Sequence, residues 1–281
     1  MKPRRAAVVL VASVAFVYAL VCVAARLWYP HVLFPAPRLA AVPRDVQELV
    51  DDRRAELLEL PQQDGPPTRA LWFPAPPGGR AVVVFHGNGE TMFDRVDVAQ
   101  ALAARGLGAL LVEYRGYGIS HGPPPSEASL YADGEAAMAY LARAGFEPSR
   151  VAIWGTSLGT GVASEMARRH PVARLVLVTP FTSIPAMASR IAPILPVRLV
   201  LAHELDTLGR APQIRAPTLV VHGDADEIIP FAMGETVAKA LPDARFVRVE
   251  GAHHNDLFAP RAGEPSAAEL FEVVVEHLRG G

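Results

Sequence analysis

The 281-residue chain has one cysteine, Cys22. A lone thiol excludes internal disulfides and any cysteine-built metal site, and its place in an apolar N-terminal segment marks it as structural. Charge of one sign is also lacking: 27 Lys and Arg against 29 Asp and Glu leave a net charge of −2, which argues against nucleic acid as a partner. No internal repeat is visible. Nothing specifies an oligomer, so a monomer is expected. What the chain has is apolar substance. Hydrophobic residues make up 51% and charged residues 20% of it, the balance of a globular protein with a sizeable core.

A single stretch is apolar enough to cross a bilayer. Lys2, Arg4 and Arg5 precede an uncharged run from Ala6 to Ala25, which Arg26 ends. At a rise of about 1.5 Å per residue, twenty residues span roughly 30 Å, the thickness of a hydrocarbon core. A cleaved signal peptide usually has a shorter apolar region, and Val23-Ala24-Ala25 is a poor cleavage site. The run is therefore read as an uncleaved single-pass anchor. Its basic flank predicts a cytoplasmic N-terminus, with the remaining chain on the periplasmic or extracytoplasmic side. Trp28 and Tyr29 suit the membrane interface or packing on the domain.

Beyond a proline-rich linker over 30–67, with irregular strands at Glu56–Leu60 and Thr68–Phe73, strand-like and helix-like segments alternate. Strands are expected at Ala81–Phe85, Gly108–Tyr114, Val151–Trp154, Arg174–Thr179, Thr218–His222 and Arg245–Glu250. Helices are expected at Val96–Arg105, Leu130–Ala144, Leu158–Arg169, Phe231–Leu241 and Ser266–Leu278. This order implies a mostly parallel sheet with helices on both faces, and sites in such sheets form at the carboxyl ends of the strands.

Four such ends carry usable chemistry. Gly155-Thr-Ser157-Leu-Gly159 has the spacing of a nucleophile elbow, in which glycines relieve crowding around a serine on a strained strand-to-helix turn; the Leu158 N–H can then face an oxyanion. His86-Gly87-Asn88-Gly89 offers a second backbone donor at Asn88, with His86 read as structural. In His222-Gly-Asp224-Ala-Asp226-Glu227 three carboxylates compete to orient a base, while Asp206 reads as a helix cap. In Gly251-Ala-His253-His254-Asn-Asp256 either histidine could take a serine proton. Arg115 and the tyrosines of Tyr114-Arg-Gly-Tyr117-Gly118 read as loop braces, and Ser120 lacks elbow geometry. The C-terminal histidines lack helical His-x-x-x-His spacing, so no metal is expected, and the chemistry requires no cofactor.

Together with Pro180-Phe-Thr-Ser183, these motifs resemble those of the Bem46-like α/β-hydrolases, often membrane-anchored relatives of the eukaryotic ABHD13 and ABHD17 serine hydrolases. The likeness runs from about Trp28 to the C-terminus. It implies an α/β-hydrolase fold with an eight-stranded type of sheet, Ser157 as nucleophile, Asp226 as acid, His254 as base, and the Asn88 and Leu158 N–H groups as oxyanion hole. His253 stands where relatives commonly have glycine. The expected organisation is an anchor at 1–26, a linker with first strands at 27–67, and a hydrolase domain at 68–281 with a short lid at 181–215. The lid, broken by Pro185, Pro193 and Pro196, should be one or two small helices over an open, partly apolar site. The expected activity is cleavage of a small-molecule or lipid-like ester or thioester through an acyl-enzyme. A peptidase or amidase of the same fold, or a non-catalytic membrane-tethered binding protein, are the alternatives.

Overall fold

Runs such as Ala81–Phe85 and Gly108–Glu113 are buried at every position, which requires a sheet covered on both faces. The computed structural model describes residues 3–258 and 267–280. Among the described residues there is one sheet of eight strands: β1 (Glu56–Leu60), β2 (Thr68–Phe73), β3 (Ala81–Phe85), β4 (Gly108–Glu113), β5 (Val151–Thr156), β6 (Arg174–Val178), β7 (Thr218–Gly223) and β8 (Ala244–Val249). Their spatial order is β1-β2-β4-β3-β5-β6-β7-β8. Only the β1–β2 and β2–β4 pairs are antiparallel; the others are parallel.

The described helices are α1 (Pro3–Leu33), α2 (Arg44–Asp51), α3 (Val96–Ala103), α4 (Glu127–Arg143), α5 (Leu158–Arg169), α6 (Ile184–Ile191), α7 (Val197–Val200), α8 (Thr207–Arg210), α9 (Phe231–Ala240) and α10 (Ala267–Arg279). Leu130 and Leu141 of α4, Val162 and Met166 of α5 and Val237 of α9 cover one face of the sheet, against Val83, Phe85 and Ile153. Val46 and Leu49 of α2, Ala99 and Leu102 of α3 and Val274 and Leu278 of α10 cover the other, against Val82, Val84 and Trp154. Alternate residues of β3 and β5 thus serve opposite layers, as the pleat demands.

Three features depart from the expected elements. Residues 44–51 are helical, although 30–67 reads as linker and strands; Val46 and Leu49, three apart, bury one helix face, and the surrounding prolines conceal that spacing. The N-terminal helix also does not end at Arg26 but continues to Leu33. The Arg26 guanidinium donates to the Val200 carbonyl at 3.2 Å, and the Tyr29 hydroxyl lies 2.8 Å from Nδ1 of His203. The last turns of α1 therefore pack on the segment that follows β6. The apolar part of this helix, Ala7–Leu33, has a mean hydropathy of 2.7 and is long enough to cross a membrane. The expected start of the last helix at Ser266 lies outside the described residues.

The segment after β6 forms three short helices, α6, α7 and α8, where the sequence predicts one or two, because its prolines start new turns without abolishing helix. Two carboxylates tie it to the domain. Glu165 of α5 pairs with Arg168 and Arg169 at 2.7 Å and with Arg210 of α8 at 2.6 Å, and Arg210 also reaches Glu127 at 3.1 Å. Burial alone would raise the Glu165 carboxyl, but the three guanidinium groups more than offset this and bring it down to about 2. A depressed carboxyl stabilises the fold above its unfolded value, and that contribution disappears as pH falls through the folded value. Glu165→Gln should destabilise the domain by about 3 kcal/mol at neutral pH. Thermal melts should show the full gap to wild type above about pH 4.5, closing as pH falls toward 2.

α5 lies so near the sheet that a methyl group at Gly159 would overlap the Phe85 carbonyl. Gly159→Ala should lower stability by about 3 kcal/mol in denaturant titrations.

Candidate active site

Ser157 joins the end of β5 to the start of α5 with φ +50° and ψ −117°, a conformation that is strained for a residue with a side chain. Three neighbours hold it there. The Ser157 N–H donates to the Val178 carbonyl at 2.9 Å. A Cβ on Gly155 would stand 2.5 Å from the Gly159 carbonyl oxygen and 2.6 Å from the Ala163 methyl. Gly159, in turn, is pressed on Phe85. The turn therefore demands small residues on both sides of the serine, as the Gly-x-Ser-x-Gly spacing suggests.

The loops after β7 and β8 bring an acid and a base to this turn. His254 Nε2 lies 3.1 Å from Ser157 Oγ, and its Nδ1 lies 2.8 Å from Asp226 Oδ2. Asp226 Oδ1 accepts the Ile228 and Ile229 N–H groups at 2.9 and 2.7 Å. Burial would raise this fully enclosed carboxyl, but hydrogen bonds from His222, His254 and the Ile229 backbone outweigh burial and hold it well below the usual carboxylate range. An ionised carboxylate only accepts, so the proton of the His254 ring sits on Nδ1 and Nε2 is free to accept from the serine hydroxyl.

The other candidates of these loops serve elsewhere. Asp224 accepts from Arg248 at 2.8 Å and from the Gly251 N–H at 2.7 Å, which braces the β8 turn. Glu227 lies 3.1 Å from Nδ1 of the exposed His253. Asp206 caps α8, accepting the Gly209 N–H at 2.9 Å.

His222 is the residue that sequence reasoning passed over. Fully buried, it places Nε2 3.2 Å from Asp226 Oδ2 and 3.0 Å from the Ile229 carbonyl. Both neighbours are acceptors, so Nε2 carries the proton, and Asp226 is shared between two imidazoles. Its four-residue offset from Asp226 is a signal only once the β7 turn is known. Gly234 of α9 gives the ring its room, since a Cβ there would overlap it.

Asn88 and Leu158 border Ser157 along one cavity wall. Leu158 is the first residue of α5, so its N–H has no intrahelical acceptor. The Asn88 side chain is held at both ends: its Oδ1 accepts from the Tyr117 hydroxyl at 2.9 Å, and its Nδ2 donates to the Leu33 carbonyl at 2.7 Å. Beneath this loop, His86 is buried, with Nε2 3.1 Å from Glu113, and the Tyr114 hydroxyl donates to the His86 carbonyl at 3.1 Å. Burial pushes the Glu113 carboxyl up, against the opposing pull of His86. Arg115 binds the buried Asp133 at 2.7 Å, and Ser120 Oγ accepts the Arg69 N–H at 3.3 Å. His86, Arg115 and Ser120 thus brace loops.

Ser157 opens on two cavities, one of mixed lining and one almost wholly apolar. One, of about 440 Å³, is bordered by Gly87, Glu90, Asp94, Arg95 and His254. The other, of about 530 Å³, is walled by Phe181, Met187, Leu195 and Ile229 and by residues of α1. Asn88, Ser157 and Ile228 border both.

The comparisons agree with this architecture. The family described as serine aminopeptidase, S33 matches residues 77–205. An uncharacterized protein of Mycobacterium tuberculosis is 40% identical over 198 residues, 69% of this chain and 70% of that protein. Alpha/beta hydrolase domain-containing protein 17C of Xenopus tropicalis is 34% identical over 185 residues, 64% of this chain and 58% of that protein. Among solved structures, the Pyrococcus furiosus esterase Pf2001 superposes with a TM-score of 0.68 at 18% identity, over 87% of this chain and 98% of that one. A puromycin-hydrolyzing peptidase of Mycobacterium tuberculosis does so with a TM-score of 0.61 at 21% identity, over 80% of this chain and 38% of that one. At such identities the likeness is one of fold. With a doubly covered, mostly parallel sheet, a serine on a strained turn after β5 and relatives of this kind, the chain belongs to one family with the Mycobacterium tuberculosis protein, has the α/β-hydrolase fold and is a hydrolase.

Proposed function

We propose that the protein is a membrane-anchored serine hydrolase that cleaves a carboxylic ester or thioester. The observation that carries this reading is the relay Ser157 Oγ–His254 Nε2 at 3.1 Å and His254 Nδ1–Asp226 Oδ2 at 2.8 Å, set on a strained turn. In the reaction, His254 takes the serine proton as Oγ attacks the acyl carbon. The negative oxygen that develops is received by the Asn88 and Leu158 N–H groups. Collapse of the tetrahedral species breaks the bond to the alcohol or thiol, which leaves with the proton from His254. Water, deprotonated by the same imidazole, then attacks the acyl-enzyme and releases the acid. Asp226 stays ionised and stabilises the imidazolium.

The two cavities support an assignment of substrate halves: the acyl chain toward the apolar one and the leaving group toward the one bordered by Glu90, Asp94 and Arg95. A second reading, amide hydrolysis, draws on the description of the matched family as a serine aminopeptidase. A panel of aminoacyl amides and acyl esters separates the two by relative kcat/KM.

Labelling by a fluorophosphonate probe should occur on Ser157 and vanish in Ser157→Ala. Steady-state turnover should fall about 10⁴-fold or more in Ser157→Ala, and comparably in His254→Ala and Asp226→Asn, with melting temperatures showing an intact fold. A folded wild-type chain that neither labels nor hydrolyses any acyl substrate would instead be a tethered binding protein. The anchor reading places the N-terminus in the cytoplasm and the domain outside. The full chain should stay in the membrane fraction after an alkaline carbonate wash, and protease added to intact cells stripped of any outer barrier should reach the domain.

A further inference from the structure

α1 is 31 residues long, about 46 Å, and so exceeds what a hydrocarbon core of about 30 Å requires. Its last turns form part of the apolar cavity: Ala25, Trp28, Tyr29, Val32 and Leu33 line it together with α6 and α7. The contacts between α1 and the segment after β6 do not stop at the membrane boundary set by Arg26. The Tyr18 hydroxyl donates to the Ile194 carbonyl at 2.7 Å. Tyr18 lies eight residues before Arg26, which is about 12 Å back along the helix toward the N-terminus. If α1 crosses a bilayer, the stretch around Ile194 lies at the depth of Tyr18 and is in lipid too.

The chemistry of that stretch suits such a place. Ile191, Ile194 and Leu199 are 81, 81 and 78% exposed, side chains that water would disfavour. Backbone in lipid must find its hydrogen bonds within the protein, and here it does to a large extent. Pro193 and Pro196 carry no N–H, and the Leu195, Val197, Leu199 and Leu201 N–H groups donate to carbonyls within the segment. The Ile194 carbonyl accepts from Tyr18, the Val200 carbonyl accepts from Arg26, and the Ala202 N–H donates to the Tyr29 hydroxyl at 2.9 Å. The exposed Arg190 just before this stretch and the exposed Arg198 within it have stems long enough to carry their charges to the lipid headgroups.

We propose that the cap tip, residues 191–199, is embedded in the leaflet that α1 leaves, so that the apolar cavity opens to lipid and admits the acyl chain of a membrane-resident substrate sideways to Ser157. This rests on the hydrolase reading given above and names its substrate class: molecules whose acyl chain is already dissolved in the bilayer. The leaving group then lies on the side of Arg95 and the aqueous phase. α1 is both tether and wall of the acyl site.

The test uses the full chain in phosphatidylcholine vesicles. In a Cys22→Ser background, Ile194→Cys carries a nitroxide, and Arg44→Cys provides a water-exposed reference. The label at position 194 should relax with oxygen and be shielded from a water-soluble nickel chelate, the reverse of position 44. A label at 194 that the nickel chelate reaches as freely as at 44 overturns the proposal, whatever the enzyme's activity. A second arm pairs Ile194→Asp with Leu199→Asp, neither of which lines the cavity. Because a charge is costly in lipid, hydrolysis of a long-chain acyl ester held in the vesicles should fall about tenfold or more, while a water-soluble butyrate ester is cleaved at the wild-type rate. Equal loss on both substrates, or no loss on either, overturns it. Failure of wild type to label with fluorophosphonate or to cleave butyrate would sink the hydrolase reading instead, and leaves the depth measurement standing.

Discussion

The backbone of Ser157, turned to φ +50° between β5 and α5, is the constraint on which the carboxyl end of the sheet depends. Holding one side-chain-bearing residue there costs on the order of 1–3 kcal/mol, and the surroundings supply that support from several directions. Gly155 and Gly159 leave no Cβ to collide, β6 takes the serine N–H, and α5 is seated directly on β3. The consequence is chemical. The hydroxyl is lifted above the sheet edge, where loops from β7 and β8 can reach it, and the first amide of α5 is left without an internal acceptor beside it.

Charge is handled with the same economy of parts. Asp226 is enclosed, yet remains ionised because two imidazoles and two backbone N–H groups surround it. An enclosed, well-bonded carboxylate cannot wander, so it fixes the ring orientation of His254 as well as its tautomer. His222 contributes from behind, and Gly234 leaves space for it. On the opposite side of Ser157, the His86–Glu113 pair and the two tyrosines fasten the Asn88 loop. The hydrogen bonds that these buried groups do make, His222 to Ile229, Tyr114 to the His86 carbonyl and Tyr117 to Asn88, rigidify the loops that border the serine.

The N-terminal helix joins this framework rather than trailing from it. Its final carbonyl holds the Asn88 side chain, Arg26 and Tyr29 meet the cap, and its last turns close the apolar cavity. The cap is in turn tied to the domain by Arg210 and Glu165. Helix, cap and loop are thus mechanically continuous, and a shift of α1 would be felt beside Ser157.

Much of this could be read from the residues. Continuous apolar runs such as Ala81–Phe85 and alternating helical patterns announced a parallel sheet, because a strand buried on both faces leaves no polar positions. The elbow was legible because crowding around a strained serine permits only glycines at fixed spacing, and the uncharged run from Ala6 announced its own length. Prolines hid α2, since its helix is short and its signal is two buried residues. Which carboxylate and which histidine meet Ser157 was beyond local pattern: Asp224, Asp226 and Glu227 share one loop, and only the turn that the Ile228 and Ile229 amides impose aims Asp226 inward. The partnership of His222 with Asp226, and of α1 with the cap across more than 170 residues of sequence, were likewise decided by tertiary structure. Local sequence dictates the conformation a segment prefers and the strain it can bear. Contacts between distant segments depend on where the sheet order carries them, and that order is a property of the folded chain as a whole.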